Sequence, residues 1–243
     1  MTTGDRVYQN KQMEIDIHKQ KLAFYGVEKY NSSRWSEGKI RRAVKLLTDS
    51  LDPKKTYKTL DLGCGGMTFE RHLAKVPNLD FTFLDMCHEV LRDVSRTRVP
   101  GRTYVTGDME GLPFADGTFD MVVHSQSIHH IPVITTALSE IARILKPGGV
   151  LYSIEANGYC PLTIYNHIPS WTRKKFFVSD NQKLFGLSYF QSAIQAAGLK
   201  VGWSRIVGFD PEGPLGWLEP IMDAIPLVNQ LYGGTMLVLS RKA

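Results

Sequence analysis

Leu60-Asp61-Leu62-Gly63-Cys64-Gly65-Gly66 decides the reading of this chain. An apolar run ends there in a glycine-rich turn, and the pattern predicts a helix behind it. Glycines at such a turn let the backbone approach a ligand that side chains would hold away. The helix N-terminus behind it offers N–H donors without intrahelical partners. Taken alone, a turn of this kind marks many nucleotide-binding proteins, so the reading rests on the segments around it. The next apolar run, Asp80 to Asp85, closes on a carboxylate. It falls near the spacing of roughly 20 residues at which an acid meets ribose hydroxyls in dinucleotide-binding units. A third run, Thr103 to Met109, passes through Asp108, and a fourth, Phe119 to Ser125, is almost continuously apolar. A fifth, Val150 to Glu155, follows Leu145-Lys146-Pro147-Gly148-Gly149.

In this order the segments resemble the class I S-adenosylmethionine-dependent methyltransferases of the small-molecule kind. Asp61-Leu62-Gly63-Cys64-Gly65 resembles the family's first motif, and Asp85 the acid that ends its second strand. Gly107 to Phe114 resembles its adenine-side segment, and Phe119 to Val123 with Leu145 to Gly149 its later motifs. The resemblance covers about residues 57–157 and departs at Met67, where the family often has a third glycine. It implies an α/β fold: a Rossmann-like, seven-stranded, mostly parallel sheet with helices on both faces. An N-terminal helical cap, an insertion after strand five and an antiparallel pair of edge strands complete the expectation.

The residues themselves argue the same way. Ile40, Ala43, Val44, Leu47 and Leu51 keep helical spacing, and Pro53 ends that helix. Strands and helices then alternate to residue 157, the pattern of a parallel sheet covered on both sides. A helix over 132–145 carries Ile134, Ala137, Leu138, Ile141 and Leu145 on one face, with Pro132 in its first turn. Residues 158–186, with Pro161, Pro169 and the basic knot Arg173-Lys174-Lys175, break the alternation and read as the insertion. A helix over 187–197 stops at Gly198, and residues 200–209 and 235–241 read as the last two strands. No linker divides the chain. It is expected to be one domain over 1–243: cap and first helix (1–50), cofactor-binding core (57–157), insertion (158–186), and C-terminal helix with edge strands (187–243).

Composition narrows the function classes. A hydrophobic fraction of 43% suits a packed core in 243 residues. The net charge of +5 is too diffuse to argue for nucleic acid. Cys64, Cys87 and Cys160 are too scattered for a disulfide framework or a zinc site and suit reduced thiols in the cytoplasm. The N-terminus is too polar for a signal peptide. No apolar run approaches the roughly 18 residues needed to span a bilayer. A monomer or homodimer without nucleic-acid or membrane partners is expected.

The resemblance places S-adenosylmethionine at the carboxyl ends of the strands. Gly63, Cys64 and Gly65 would meet its methionine part, with Asp61 orienting the turn. Asp85 would take the ribose hydroxyls and Met86 pack on adenine. Asp108 would accept from the adenine amino group beside Met109, with His124 and Ser125 ending strand four. Tyr25, Tyr30 and Trp35 are cap aromatics that would hold the sulfonium by cation–π attraction or serve as ordinary packing. His129 and His130 are candidate bases. Neighbours on a loop point apart, so one of the two enters the cleft. His124, His129 and His130 lack metal-ligand spacing, so no metal is expected. Glu155, Asn157, Tyr159, Tyr165, Trp171 and Arg173 form the expected substrate wall. The expected activity is in-line methyl transfer to an oxygen or nitrogen of a small molecule. The alternative is non-methylating use of the same cofactor: cyclisation of its own amino-acid chain with release of methylthioadenosine, or assistance to a rearrangement.

Overall fold

The computed structural model describes residues 3–29, 37–66, 69–73, 75–97, 102–131, 133–167, 182–208, 221 and 225–243. Seven strands form one sheet: β1 (Tyr57–Leu62), β2 (Leu79–Asp85), β3 (Thr103–Thr106), β4 (Phe119–Ser125), β5 (Leu145–Ala156), β6 (Leu199–Val207) and β7 (Thr235–Lys242). Their order is β3-β2-β1-β4-β5-β7-β6. The first five run parallel, and β7 lies antiparallel between β5 and β6. This is the expected mostly parallel sheet with its antiparallel edge.

The period-two alternation of side chains along a strand splits the core into two layers. Phe81, Phe83, Met121, Val123, Tyr152 and Leu239 point to one face. They pack there against α2 (Glu37–Thr48) through Ile40, Ala43 and Leu47, and against α4 (His88–Thr97) through Val90, Leu91 and Val94. Leu60, Leu62, Val122, Leu151 and Val238 point to the other. They meet α5 (Ile134–Ile144) and the helix over Leu187–Ala196. Between α2 and α4 stands the short α3 (Glu70–Leu73); α6 (Pro161–His167) follows β5, so the helix over Leu187–Ala196 is α7 and that over Pro226–Tyr232 is α8. Gly198, at φ +82°, terminates α7 where the sequence placed its stop. α5 begins at Ile134, and Pro132 lies outside the described residues.

The expected N-terminal cap is α1 (Thr3–Lys29), a helix of 27 residues. Ile15 and Leu22 pack on the core, and polar contacts pin the helix at three heights. Lys11 pairs with Asp108 and Glu110, Glu14 with His130, and Lys19 with Glu89 at the head of α4. α1 therefore crosses the carboxyl ends of the strands. β1 has β2 on one side and β4 on the other, so the strand order reverses there, and this crevice is where open α/β sheets bind ligands.

Tyr152 is fully buried, and its hydroxyl donates to the Ala43 carbonyl at 2.9 Å, tying β5 to α2. Tyr152→Phe removes one buried hydrogen bond and leaves the packing intact. It is expected to lower unfolding stability by about 1 kcal/mol, measured by urea denaturation.

Candidate active site

The turn after β1 is built on two left-handed glycines, Gly63 at φ +71° and Gly65 at φ +47°. The backbone N–H groups of Gly63 and Cys64 both donate to the Leu84 carbonyl, at 2.8 and 3.1 Å. A Cβ at Gly63 would lie 2.6 Å from the Cβ of Ser127, so the loop after β4 closes directly on the turn. The Ser127 hydroxyl stitches the two together by donating to the Leu62 carbonyl at 3.0 Å. Asp85 is buried at the end of β2. One of its oxygens accepts from Gly65 N–H at 2.9 Å and the other from Cys87 N–H at 2.8 Å. Burial pushes its carboxyl up, opposed by these backbone donors and that of Met86. Each oxygen keeps a further lone pair for a ligand.

These loops surround a cleft enclosing about 650 Å³, counting space open to solvent. Gly63, Leu84, Asp85, Met86, Gly107 and Met109 form one wall. Gln126, Ser127, His130 and Ile131 form the second, and Asn10, Lys11, Glu14 and His18 of α1 roof it. Gln126 holds the positive φ of +54° that turns the chain out of β4, while its N–H donates to the Ile154 carbonyl at 2.8 Å.

The second wall depends on Glu155, which is 0% exposed. One carboxylate oxygen accepts from Ser127 N–H at 3.1 Å and Ile128 N–H at 3.0 Å, and His124 Nδ1 lies 3.2 Å from it. The other lies 2.5 Å from His129 Nδ1. Burial alone would raise the Glu155 carboxyl, but His129 and His124 overcome this and hold it well below the usual carboxylate range. His124 is closed off on its other side by Ser153, at 2.7 Å from Nε2. Of the two candidate bases, His129 is thus committed to Glu155, and His130 is the one that enters the cleft. His130 Nδ1 lies 2.9 Å from a Glu14 oxygen, and its ring stacks on His129 with centroids 4.5 Å apart. The Gln182 amide nitrogen lies 3.2 Å from His130 Nε2. Burial, with His129, His18 and Lys21 nearby, pulls His130 well below its ordinary value despite Glu155.

Gly63, Asp85, Met86 and Met109 line the cleft as the sequence predicted. Asp61, Cys64 and Gly65 are buried under the turn, and Asp108 sits at the rim, where it pairs with Lys11. Other expectations need correction. His124 and Ser125 do not line the cleft, because the chain turns into it only at Gln126. Glu155 and Asn157, both 0% exposed, brace the loops instead of facing a substrate. Asn157 donates from its amide to the Gly233 carbonyl at 2.8 Å and accepts from Tyr159 N–H at 3.1 Å. Tyr159 and Tyr165, 68% and 49% exposed, are not among the lining residues. Tyr30, Trp35, Trp171 and Arg173 lie outside the described residues, as does the side chain of Tyr25. Sequence reasoning missed the α1 roof. The four-residue spacing of Glu14 and His18, which sets both on one helix face, was the available signal.

Comparison with known proteins agrees with this geometry. Residues 60–153 match the family model described as a methyltransferase domain. A stretch of 98 residues is 39% identical to the human mitochondrial arginine-hydroxylase NDUFAF5, covering 40% of this chain and 28% of that protein. Another of 120 residues is 33% identical to the demethylmenaquinone methyltransferase of Paenarthrobacter aurescens, covering 49% of this chain and 47% of the relative. The chain thus spans less than half the length of both relatives. The fold matches that of an S-adenosylmethionine-dependent methyltransferase from Mesorhizobium loti with a TM-score of 0.61 at 18% identity, over 84% of this chain and 100% of the other. Residues 60–153 thus match a methyltransferase domain, on a fold shared with S-adenosylmethionine-dependent methyltransferases. No helix among the described residues is long and apolar enough to cross a membrane.

Two substitutions test the scaffold. Gly63→Ala places a Cβ against Ser127 at a positive φ, and is expected to cost about 1–3 kcal/mol of stability and to abolish ligand binding in the cleft, read by denaturation and calorimetry. Glu155→Gln strips the anion from His129 and His124 and is expected to cost about 3–5 kcal/mol. Because the folded state lowers the Glu155 value, its stabilisation is present above the ordinary 4.5 and is lost as pH falls through the folded value. The wild type should therefore lose stability on acidification below about 4.5 more steeply than Glu155→Gln, in denaturant titrations at each pH.

Proposed function

We propose that this chain transfers the methyl group of S-adenosylmethionine to an oxygen or nitrogen of a small molecule. The observation that carries the reading is the Gly63 cradle, a left-handed turn with no room for a side chain, beside the Asp85 carboxylate on one wall of a cleft at the strand-order reversal. The bacterial relative, named for demethylmenaquinone, supports a small-molecule acceptor.

Bound S-adenosylmethionine supplies an electrophilic methyl carbon on a cationic sulfur. The residues present fit such a ligand: Glu14 and Asp85 put carboxylates on the walls, which suits a cation. Asp85 offers lone pairs for a pair of hydroxyls. Leu84, Met86 and Met109 offer an apolar, polarisable slot for a flat base. The chain's contribution is to hold the reactants in line and exclude water, which can supply roughly 7–11 kcal/mol. At the second wall, Glu14 meets His130 Nδ1 and burial disfavours a charge on the ring; Nε2, with the Gln182 amide nitrogen 3.2 Å away, is the nitrogen that would take a proton from the acceptor as that amide gives way.

A second reading keeps the cofactor and changes the chemistry, by cyclisation of the cofactor's own amino-acid chain or by a rearrangement. Room for non-methylating chemistry comes from the human relative, whose name is that of a hydroxylase and not of a methyltransferase. Mass spectrometry of the protein with S-adenosylmethionine, with and without hydroxylated and amine metabolites, separates the two. S-adenosylhomocysteine formed only with an acceptor is the expected result. Methylthioadenosine formed without one would replace the first reading by the second. Asp85→Asn is expected to weaken S-adenosylhomocysteine binding about 10–100-fold by calorimetry, the loss of a charged hydrogen-bond acceptor.

A further inference from the structure

We propose that Glu14, His18 and His130 form a three-ligand site for a divalent first-row cation, such as zinc or ferrous iron, in the roof of the cleft. One carboxylate oxygen and one ring nitrogen from each histidine lie within 4.8 Å of one another. Glu14 and His18 stand one helical turn apart on the same face of α1, and His130 reaches them from the loop after β4. Two imidazoles and one carboxylate are the donor set of open catalytic zinc sites and of non-haem iron sites, in which the remaining positions accept water or substrate. At metal–ligand distances of about 2.0–2.2 Å, donors in a tetrahedral site stand about 3.4 Å apart. The Glu14–His130 contact of 2.9 Å therefore opens slightly to admit the ion, and His18 closes in.

The surroundings suit such an ion. All three side chains line the cleft, so the unfilled positions face the space available to an acceptor. Ligation requires the uncharged imidazole. Burial and Lys21 push His18 down to about 4 against the pull of Glu14, and burial lowers His130. The position of His18 distinguishes this site from a Glu14–His130 base: its ring centroid is 5.6 Å from that of His130, and a carboxylate–imidazole pair has no use for a second imidazole. Of the three histidines weighed from the sequence, His124 and His129 take no part, because Glu155 holds both, and only His130 joins the site. The inference rests on the methyl-transfer reading for its role: the ion would hold an oxygen of the acceptor and favour its ionised form, with His130 serving as ligand in place of free base.

The test is calorimetric titration of Zn²⁺ into chelator-treated full-length protein. One ion per chain is expected. Glu14→Gln and His18→Asn should each weaken binding at least about 100-fold, beyond the 10–100-fold that loss of an outer-shell partner costs. His88→Gln, at an exposed histidine outside the cleft, should leave it unchanged. Should the two variants misfold, substoichiometric Co²⁺ added to the unmodified protein provides the second measurement, and it is expected to shift the imidazole resonances of His18 and His130. Absence of stoichiometric Zn²⁺ binding, or binding that survives His18→Asn, or shifts confined to other histidines, overturns the proposal. S-adenosylhomocysteine titrations run alongside separate the two claims. Nucleoside binding by a protein that takes up no Zn²⁺ refutes the metal site alone, and absence of nucleoside binding in the wild type refutes the functional reading.

Discussion

One buried carboxylate holds the catalytic end of this sheet together. Glu155 lies at the end of β5 with no access to water, and four groups meet it: two backbone N–H donors and the rings of His129 and His124, all from β4 and the loop after it. An ionised carboxylate in such a place is stable only while those donors are fixed, and a loop with buried N–H groups is stable only while an acceptor faces them. The mutual requirement sets the path of Gln126 to His130. That path presses Ser127 onto Gly63 and turns His130 into the cleft.

The glycine turn owes its shape to the same packing. Gly63 and Gly65 adopt left-handed conformations because Ser127, Leu84 and Asp85 leave no other course for a chain that must cross the end of β2. The turn, Asp85 and the loop after β4 therefore act as one rigid unit. The roof is held differently. Lys11 and Lys19 attach α1 through charged contacts at partly exposed positions, which contribute on the order of 0–1 kcal/mol each when exposed, and the buried Glu14 adds its contact with His130. The cleft thus has two firm walls and a lighter third, an arrangement that lets a ligand enter without disturbing the core.

Most of the fold was legible before the structure. The near-continuous apolar runs, the glycine turn and the ordered acids at strand ends are local signals, and local signals survive in sequence. Strand ends also located the cleft, and with it Gly63, Asp85, Met86 and Met109. The errors share one cause. Glu155, Asn157 and His124 were placed at the site because they end strands, yet a polar residue at a strand end can face a ligand or stitch a neighbouring loop. The choice is made by contacts from β4 and from the segment between α8 and β7, far away along the chain.

The sequence by itself determined the succession of strands and helices in the core, the strand ends that face the crevice and the backbone freedom of the turn, since each follows from residue type and spacing within a few tens of residues. Tertiary structure alone decided which of two adjacent histidines enters the cleft and which side chains roof it. His129 and His130 are indistinguishable in composition and context until Glu155 captures one and Glu14 the other. Glu14 and His18 belong to the site only because a helix from the far end of the chain is laid across it.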